Sequence, residues 1–157
     1  MPVYKVAIKA QFENVTDLEA PGEDFQYCIK TQCNTCNEVS EKWQYVSGDE
    51  QVEMPGSRGT CNMLYKCKLC NRVNTMDVLV QKKKLYTADD VPKMKEVIAF
   101  ECRGMSVVNF KFGKGWQCKG SESGTPFLDL DLDEEWCDYD EDGNCPVGIS
   151  ELEYKIV

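Results

Sequence analysis

The sequence predicts a mainly β fold, either a pseudo-twofold β-sandwich or a partly closed barrel of paired hairpins, with little helix. Apolar and polar residues alternate with period two in many segments, which is typical of half-buried strands. Two Cys-x-x-Cys pairs with similar flanks indicate a repeated hairpin. Length and composition (157 residues, 42% hydrophobic, 29% charged) are those of one globular domain, so we expect a single domain over residues 1–157.

Alternation near the N-terminus predicts the first strand. One side of the pattern is apolar, with Val6, Ile8, Ala10 and Phe12, and the polar residues Lys5, Lys9, Gln11 and Glu13 lie on or near the other, so a half-buried strand crosses these positions. Residues 15–18 are expected to lead into a turn at residues 21–22, where proline precedes glycine. This segment is therefore interpreted as one strand followed by a connection.

Strands are also predicted on both sides of the cysteine pairs. Residues 25–29 alternate again and run into the first pair, and Trp43 and Tyr45 mark another strand after it. The turn-rich stretch 47–59 can supply an extra hairpin between the pairs. Valines within residues 73–80 predict a strand after the second pair.

The C-terminal half predicts one helical turn and further strands. Thr87 is a candidate N-cap, and Pro92 limits the helix to about one turn. Gly104 is expected at a bulge or bend. The three lysines at 82–84 are interpreted as a solvated edge. Strands are expected at residues 97–100, 107–112, 127–132 and 149–157, with a turn-rich segment at 113–124.

The two cysteine pairs carry the strongest chemical signal. Their members are Cys33, Cys36, Cys67 and Cys70. One Cys-x-x-Cys turn can supply two adjacent corners of a tetrahedron, and two facing turns complete a shell of four thiolates, for which Zn²⁺ is the commonest occupant. We expect one structural Zn²⁺ whose binding free energy contributes to folding. A full shell leaves no position for water, so the ion is not expected to act as a Lewis acid.

The flanks of the two pairs resemble each other at an offset of 34 residues. Cys33-Asn34-Thr35-Cys36-Asn37-Glu38-Val39 matches Cys67-Lys68-Leu69-Cys70-Asn71-Arg72-Val73 in both cysteines, an asparagine and a valine. The position after the second cysteine commonly turns left-handed so that N–H groups can point at sulfur, and asparagine tolerates that conformation. We therefore predict two zinc-knuckle hairpins that meet at one metal ion.

Catalysis is poorly supported by the residue types present. The chain has no histidine, so it lacks the usual general base and the usual partner of a cysteine nucleophile. A thiol oxidoreductase is a weaker alternative, because redox Cys-x-x-Cys pairs sit at a helix N-terminus, whereas both pairs here lie between predicted strands. We expect a protein that is not an enzyme.

Six further cysteines lie outside the pairs and form no additional Cys-x-x-Cys motif. They are Cys28, Cys61, Cys102, Cys118, Cys137 and Cys145. No secretory signal or membrane-spanning apolar run is found in the sequence, so we expect a soluble, cytoplasmic protein with reduced thiols. Several of the six are interpreted as small core hydrophobes.

The net charge of −9 comes from one local segment. Residues 129–142 hold nine of the 27 acids and no base, which leaves 18 acids against 18 bases elsewhere. Nucleic-acid binding requires a basic surface, so it is not expected. Residues 138–144 imitate the start of a calcium loop, but Ile149 stands where the last glutamate ligand belongs, so a solvated acidic loop is expected.

Aromatic residues are interpreted mainly as core or edge packing, with one exception. Trp136 lies inside the acidic strip of residues 129–142. Tryptophan is enriched at the energetic centres of protein interfaces, so this strip with Trp136 is a candidate surface for a protein partner.

Seven short segments, in their order and spacing, carry a specific family resemblance: Gly22-Glu23-Asp24-Phe25, Cys33-x-x-Cys36, Lys42-Trp43-Gln44-Tyr45, Lys66-Cys67-Lys68-Leu69-Cys70, Phe100-Glu101-Cys102-Arg103-Gly104, Glu122-Ser123-Gly124-Thr125 and Asp138-Tyr139-Asp140-Glu141. In these segments the sequence resembles the eukaryotic CXXC-motif-containing zinc-binding proteins over its full length. The resemblance implies a monomeric, mainly β protein with internal pseudosymmetry and one zinc ion. The metal cysteines of the family fall on the four named above, and the resemblance implies no established enzyme activity.

Three functions remain open from the sequence. The first is a non-catalytic protein-interaction adaptor with a structural zinc ion. The second is an intracellular metal-handling protein that exchanges metal with a metallochaperone. The third, a thiol oxidoreductase, is disfavoured most.

Overall fold

The fold, seen in a computed structural model that describes residues 2–157, consists almost entirely of antiparallel β-strands. The strands are β1 Val3–Glu13, β2 Val15–Glu19, β3 Tyr27–Cys33, β4 Gln44–Val46, β5 Val52–Glu53, β6 Thr60–Cys61, β7 Met63–Lys66, β8 Val73–Val78, β9 Lys95–Arg103, β10 Met105–Lys111, β11 Lys114–Gly120, β12 Pro126–Asp131, β13 Trp136–Asp140 and β14 Cys145–Ile156. Within the described residues, helix is limited to two short 3₁₀ turns, Val80–Lys82 and Ala88–Asp90. No described helix is long and apolar enough to cross a membrane.

The strands form one large sheet and three smaller ones. The large sheet has the order β13–β14–β1–β9–β8–β7 and curls into a half-barrel. Two three-stranded sheets have the orders β10–β3–β4 and β12–β11–β2, and β5 pairs with β6 in a short ribbon. This architecture confirms the predicted mainly β class. The ribbon supplies the extra hairpin expected between the two cysteine pairs.

The hydrophobic core lies between the three larger sheets. Phe100 from β9, Ile29 from β3 and Trp116 from β11 are all buried in one cluster. Aromatic contacts join the sheets: the Tyr27 ring lies 5.6 Å from Phe100 and 4.9 Å from Phe25, and Phe25 lies 5.4 Å from Trp116. Burial of this apolar surface is the main stabilisation of the fold.

Three strands, β2, β11 and β13, were not predicted from the sequence. Residues 15–18, expected to lead into a turn, belong to β2, and the supposedly turn-rich stretch 113–124 contains β11. These two strands pair with each other. Gly115 has φ +98° and lies where the register of β11 against β12 shifts. A glycine at such an irregularity interrupts the alternation by which a strand is recognised.

Residues 138–144, expected to form a solvated acidic loop, belong to a β-hairpin. β13 pairs with the first half of β14, and residues 141–144 form the turn between them. β14 therefore begins at Cys145, four residues earlier than predicted. Within the described residues no helix flanks this turn, so the EF-hand imitation has no structural counterpart.

Two local predictions are confirmed, and a third is wrong. Thr87 precedes a single helical turn, and its N–H donates to Asp90 Oδ2 at 2.8 Å. Gly104 has φ +83° and forms the bend where the chain passes from β9 in the large sheet to β10 in a smaller one. Val80, expected in a strand, begins the first 3₁₀ turn instead.

Candidate metal centre

The four predicted ligands come from two different sheets. Cys33 is the last residue of β3, and Cys67 follows β7 at the edge of the large sheet. Residues 33–37, the first cysteine turn, and residues 67–71, the second cysteine turn, bring Cys36 and Cys70 to the same place. A metal ion bound here therefore joins the large sheet to the sheet that contains β3.

The sulfur positions fit a tetrahedral zinc ion. Cys33 Sγ lies 3.7 Å from Cys70 Sγ, and Cys36 Sγ lies 3.5 Å from Cys67 Sγ. All four sulfurs lie within 4.8 Å of one another. Zinc–thiolate bonds of about 2.3 Å place the corners of a tetrahedron about 3.8 Å apart. Within residues 2–157 no other group of three or more cysteines or carboxylates is close enough to hold a metal ion.

The two cysteine turns have the same backbone geometry. In the first, the Asn37 N–H donates to the Cys33 carbonyl at 2.8 Å, and in the second, the Asn71 N–H donates to the Cys67 carbonyl at 2.8 Å. Asn37 has φ 65° and Asn71 has φ 63°. Asparagine reaches this left-handed region at lower cost than most residues. The two cysteine turns thus share one backbone conformation.

Backbone N–H groups of the turns favour ionised sulfur at the first cysteine of each pair. The N–H of Cys36 is the main cause that lowers the pKa of the Cys33 thiol to about 6, although burial opposes it. The N–H of Cys70 lowers the pKa of Cys67 in the same way. Donors aimed at sulfur stabilise the thiolate, which is the form that binds metal.

A bound cation is needed for all four thiols of the centre to lose their protons. The N–H of Glu38 lowers the pKa of Cys36, but burial and the three neighbouring sulfurs outweigh it and raise the pKa to about 12. Like charges at these distances cannot all form without compensation. A bound Zn²⁺ supplies that compensation and keeps coordinating thiols deprotonated, so the donor set fits the metal.

The centre is buried on one side and accessible on the other. Cys33 and Cys67 are buried, whereas Cys36 and Cys70 are only partly covered. Leu69, at the tip of the second cysteine turn, is 65% exposed. The second cysteine of each pair therefore lies near solvent, where a competing ligand could approach.

The first cysteine turn is held in place by contacts with neighbouring strands. The Asn34 N–H donates to the Gly104 carbonyl at 3.0 Å, and Ser106 Oγ donates to Asn34 Oδ1 at 2.7 Å. The Tyr4 hydroxyl lies 2.8 Å from Ser106 Oγ. This chain of contacts from β1 through β10 fixes the turn relative to the large sheet.

Sequence reasoning missed one residue of this environment. Asn74, the second residue of β8, is buried, and its side chain lies close enough to Cys33 to contribute to the lowered pKa of that thiol. Asparagine is depleted in strands. An asparagine at a buried strand position just after a cysteine turn was the available signal.

The other six cysteines are separate from the centre. Cys102 and Cys118 lie in the hydrophobic core, and burial raises the pKa of each thiol to about 12. Cys28 and Cys61 are also buried, Cys145 is partly covered, and Cys137 is exposed. These positions confirm that several act as small core hydrophobes.

The structure shows which acids of the acidic strip, residues 129–142, can belong to a docking surface. Eight of its nine acids are exposed, but Asp140 is buried. Its carboxylate accepts hydrogen bonds from Ser123 Oγ at 2.5 Å and from the Gly143 N–H at 3.0 Å. Asp140 is thus a structural residue and cannot contribute to a free surface. Trp136 is half-buried and stacks edge-on against Phe127 at 5.4 Å, whereas Tyr139 is 49% exposed.

The chain is similar to known proteins over its whole length. The family model for eukaryotic "CXXC motif containing zinc binding protein" matches residues 5–157. Proteins of that name are 44% identical in Bos taurus, over 100% of this chain and 99% of theirs, and 42% identical in Homo sapiens, over 96% and 94%.

Solved structures share the fold. One described as "Crystal Structure of C1orf123" has a TM-score of 0.94 and 41% identity and covers 99% of both chains. A second, described as "Hypothetical protein from plasmodium falciparum", has a TM-score of 0.90 and 25% identity and covers 100% of both. The architecture is therefore shared with relatives of low sequence identity.

Proposed function

This chain belongs to the eukaryotic family of CXXC motif containing zinc binding proteins, and we propose that it is a non-catalytic, monomeric adaptor whose zinc ion has a structural role. The observation that carries the proposal is the origin of the ligands. Cys33 ends a strand of one sheet and Cys67 follows an edge strand of another. A four-thiolate shell between two sheets acts as a crosslink, and its binding free energy becomes folding free energy.

Loss of the metal should therefore loosen the junction between the sheets before it affects the core. Native mass spectrometry over a chelator time course, paired with hydrogen exchange of the strand amides, measures both events. Zinc that leaves only on unfolding supports a structural ion. Zinc that leaves rapidly from a protein whose β3 and β7 amides stay protected would contradict it.

The acidic strip supports the adaptor role. Beside it lies a groove of about 410 Å³, and Asp133, Glu134, Glu135 and Glu151 are among its lining residues. Its lining also includes Tyr154, which is 37% exposed, and Lys111, whose Nζ lies 3.8 Å from Asp133 Oδ2. The acids outnumber this one lysine, so acidic side chains beside an exposed tyrosine match a partner segment that carries lysine or arginine, since complementary charge guides association and aromatic faces attract cations.

The adaptor role is tested by removing charge only where the carboxylates are exposed. The triple variant Glu134→Gln, Asp138→Asn, Glu141→Gln removes three acids of the strip but spares the buried Asp140. The matched control, Glu41→Gln, Glu50→Gln, Glu53→Gln, removes three exposed acids elsewhere. Quantitative affinity capture should lose the same partners with the first variant and keep them with the second. Equal capture by wild type and both variants would reject the acidic strip as the docking surface.

A second candidate function is metal exchange with a metallochaperone. It is favoured by the partial exposure of Cys36 and Cys70, because ligand exchange begins when an incoming thiolate replaces an accessible one. It requires zinc to move from the folded protein to a thiol-containing acceptor faster than the protein unfolds. Transfer at the unfolding rate would exclude it.

A thiol oxidoreductase is a weaker proposal than either candidate above. A reducing compartment is the proposed location. Both cysteine pairs lie on turns between β-structure and not at a helix N-terminus, where redox thiols are activated. None of the ten cysteines forms a disulfide, which supports a reducing environment such as the cytoplasm.

A further inference from the structure

Asn74 is a buried polar side chain that lacks an ordinary partner. The residue is 1% exposed, and neither its amide nitrogen nor its amide oxygen forms a hydrogen bond within ordinary geometry. Among the described residues, no other buried side-chain nitrogen or oxygen is in this state. A buried amide left unpaired destabilises the fold, so its presence here points to a partner that is neither nitrogen nor oxygen.

The strand register places this amide against the first cysteine turn. A Cβ atom at position 104 would overlap Asn74 Oδ1, so the side chain lies directly against Gly104. The Gly104 carbonyl accepts the N–H of Asn34, and the next residue, Met105, pairs with Cys33. The amide is therefore enclosed between the bend at Gly104 and the first metal ligand.

The residue that corresponds to Asn74 after the first cysteine turn is Ser40, and its side chain has a hydrogen-bond partner. Ser40 precedes Asn74 by 34 residues, and it is also buried. Ser40 Oγ accepts a hydrogen bond from the Thr31 N–H at 3.2 Å. A buried polar residue thus follows each cysteine turn, but only the serine has a hydrogen-bond partner in the backbone.

We propose that Asn74 is a positioning residue of the metal centre, and that its Nδ2–H group donates a hydrogen bond to the Cys33 thiolate when zinc is bound. A metal-bound thiolate keeps lone pairs that accept hydrogen bonds, and such outer contacts orient the ligand and withdraw charge from sulfur. The Asn74 side chain lies close enough to the Cys33 sulfur for this contact. The inference rests on the zinc centre and not on the adaptor role, so either can fail without the other.

Variant proteins test the proposal through the metal itself. Asn74→Leu removes the donor but keeps a side chain of similar size. The matched control is Asn62→Leu, since the Asn62 amide is also buried but donates to the carbonyls of Gly48 and Glu50. Zinc affinity is measured by chelator competition, and the sulfur-to-metal charge-transfer band is recorded with Co²⁺ in place of zinc.

We expect Asn74→Leu to weaken zinc binding roughly tenfold, the lower end of the effect of outer-shell contacts. Its Co²⁺ band should move to lower energy, because a thiolate without the hydrogen bond gives up an electron more easily. Asn62→Leu should leave the band in place. An Asn74→Leu protein with wild-type affinity and an unchanged band would overturn the proposal.

A measurement on the unaltered protein keeps the test open if Asn74→Leu does not fold. In protein loaded with ¹¹³Cd, scalar coupling across N–H···S–Cd links the metal to each donor proton. A coupling to the Asn74 side-chain amide is the expected result. Couplings from the backbone amides of Cys36 and Cys70, with none from Asn74, would reject the hydrogen bond.

Discussion

Asn37 and Asn71 occupy equivalent left-handed positions, with φ of 65° and 63°, in two turns that are 34 residues apart. Each N–H closes its turn onto the carbonyl of the first cysteine at 2.8 Å. This shared geometry places the two cysteine pairs as matching halves of one tetrahedron. The repeat visible in the sequence is thus a repeat of backbone conformation that serves the metal.

The left-handed asparagines can be tested by substitution. Asn37→Val should reduce the free energy of unfolding by about 1–2 kcal/mol, the cost of a left-handed residue with a side chain, and a β-branched side chain places it at the upper end. Asn37→Gly should be nearly neutral, because glycine adopts this conformation freely. Urea unfolding of the zinc-loaded proteins measures both. Equal stability of the valine and glycine variants would show that φ does not limit this turn.

Loss of one ligand should remove the ion. Cys33→Ser and Cys70→Ser are each expected to bind far less than one zinc per chain and to be less soluble, because three thiolates hold the ion more weakly and the two sheets lose their crosslink. Zinc content by native mass spectrometry is the measurement. Cys137→Ser, an exposed thiol outside the centre, is the control and should keep its zinc. A folded Cys70→Ser protein with one zinc would refute the shared shell.

Alkaline pH should destabilise the protein through its core thiols. Burial raises the pKa of Cys102 and Cys118 to about 12, so between about pH 9 and pH 12 the folded chain keeps protons that the unfolded chain releases. Stability contributed by these groups is complete below the unfolded pKa and falls as pH rises, by up to about 1.4 kcal/mol per pH unit for each thiol.

The free energy of unfolding measured across this alkaline range checks the prediction. The double variant Cys102→Ala, Cys118→Ala should show a shallower decline, whatever its stability at neutral pH. Cys137→Ala, which changes an exposed thiol, should show the wild-type slope. Identical slopes in all three proteins would mean that other groups govern the alkaline limb.

Asp140 should behave as a structural residue. Its hydrogen bond from Ser123 is the main cause that lowers the pKa of its carboxyl group. A lowered pKa stabilises the fold above the usual carboxyl pKa, and this stabilisation is lost as pH falls towards the folded value. Asp140→Asn should therefore lower the Tm at neutral pH and flatten the acid limb of stability.

Asp138→Asn is the control for this prediction, because Asp138 lies on the same hairpin but is exposed. It should leave the Tm unchanged. Thermal unfolding at pH 7 and in mild acid separates the two variants. If Asp140→Asn unfolds like wild type at both pH values, its hydrogen bonds do not stabilise the hairpin.

Much of the fold was predictable because many strands place alternate residues in the core, as in β8, where Met76 and Val78 are buried and Thr75 and Asp77 are partly exposed. β2 and β11 escaped prediction for a physical reason. They are short or irregular, and glycine at position 115 interrupts the alternation of β11. Only pairing with neighbours that are distant in the sequence defines them.

The sequence by itself determined the ligand set and the local shape of each cysteine turn, because spacing and an asparagine fix those features within a few residues. The tertiary structure decided which sheets the metal joins, that Asp140 is buried, and that the buried Asn74 side chain lies against Gly104. These features depend on contacts between residues far apart in the chain, such as Asn74 with Gly104. Short-range patterns do not specify such contacts, since the register of paired strands and the path of the chain between sheets set them.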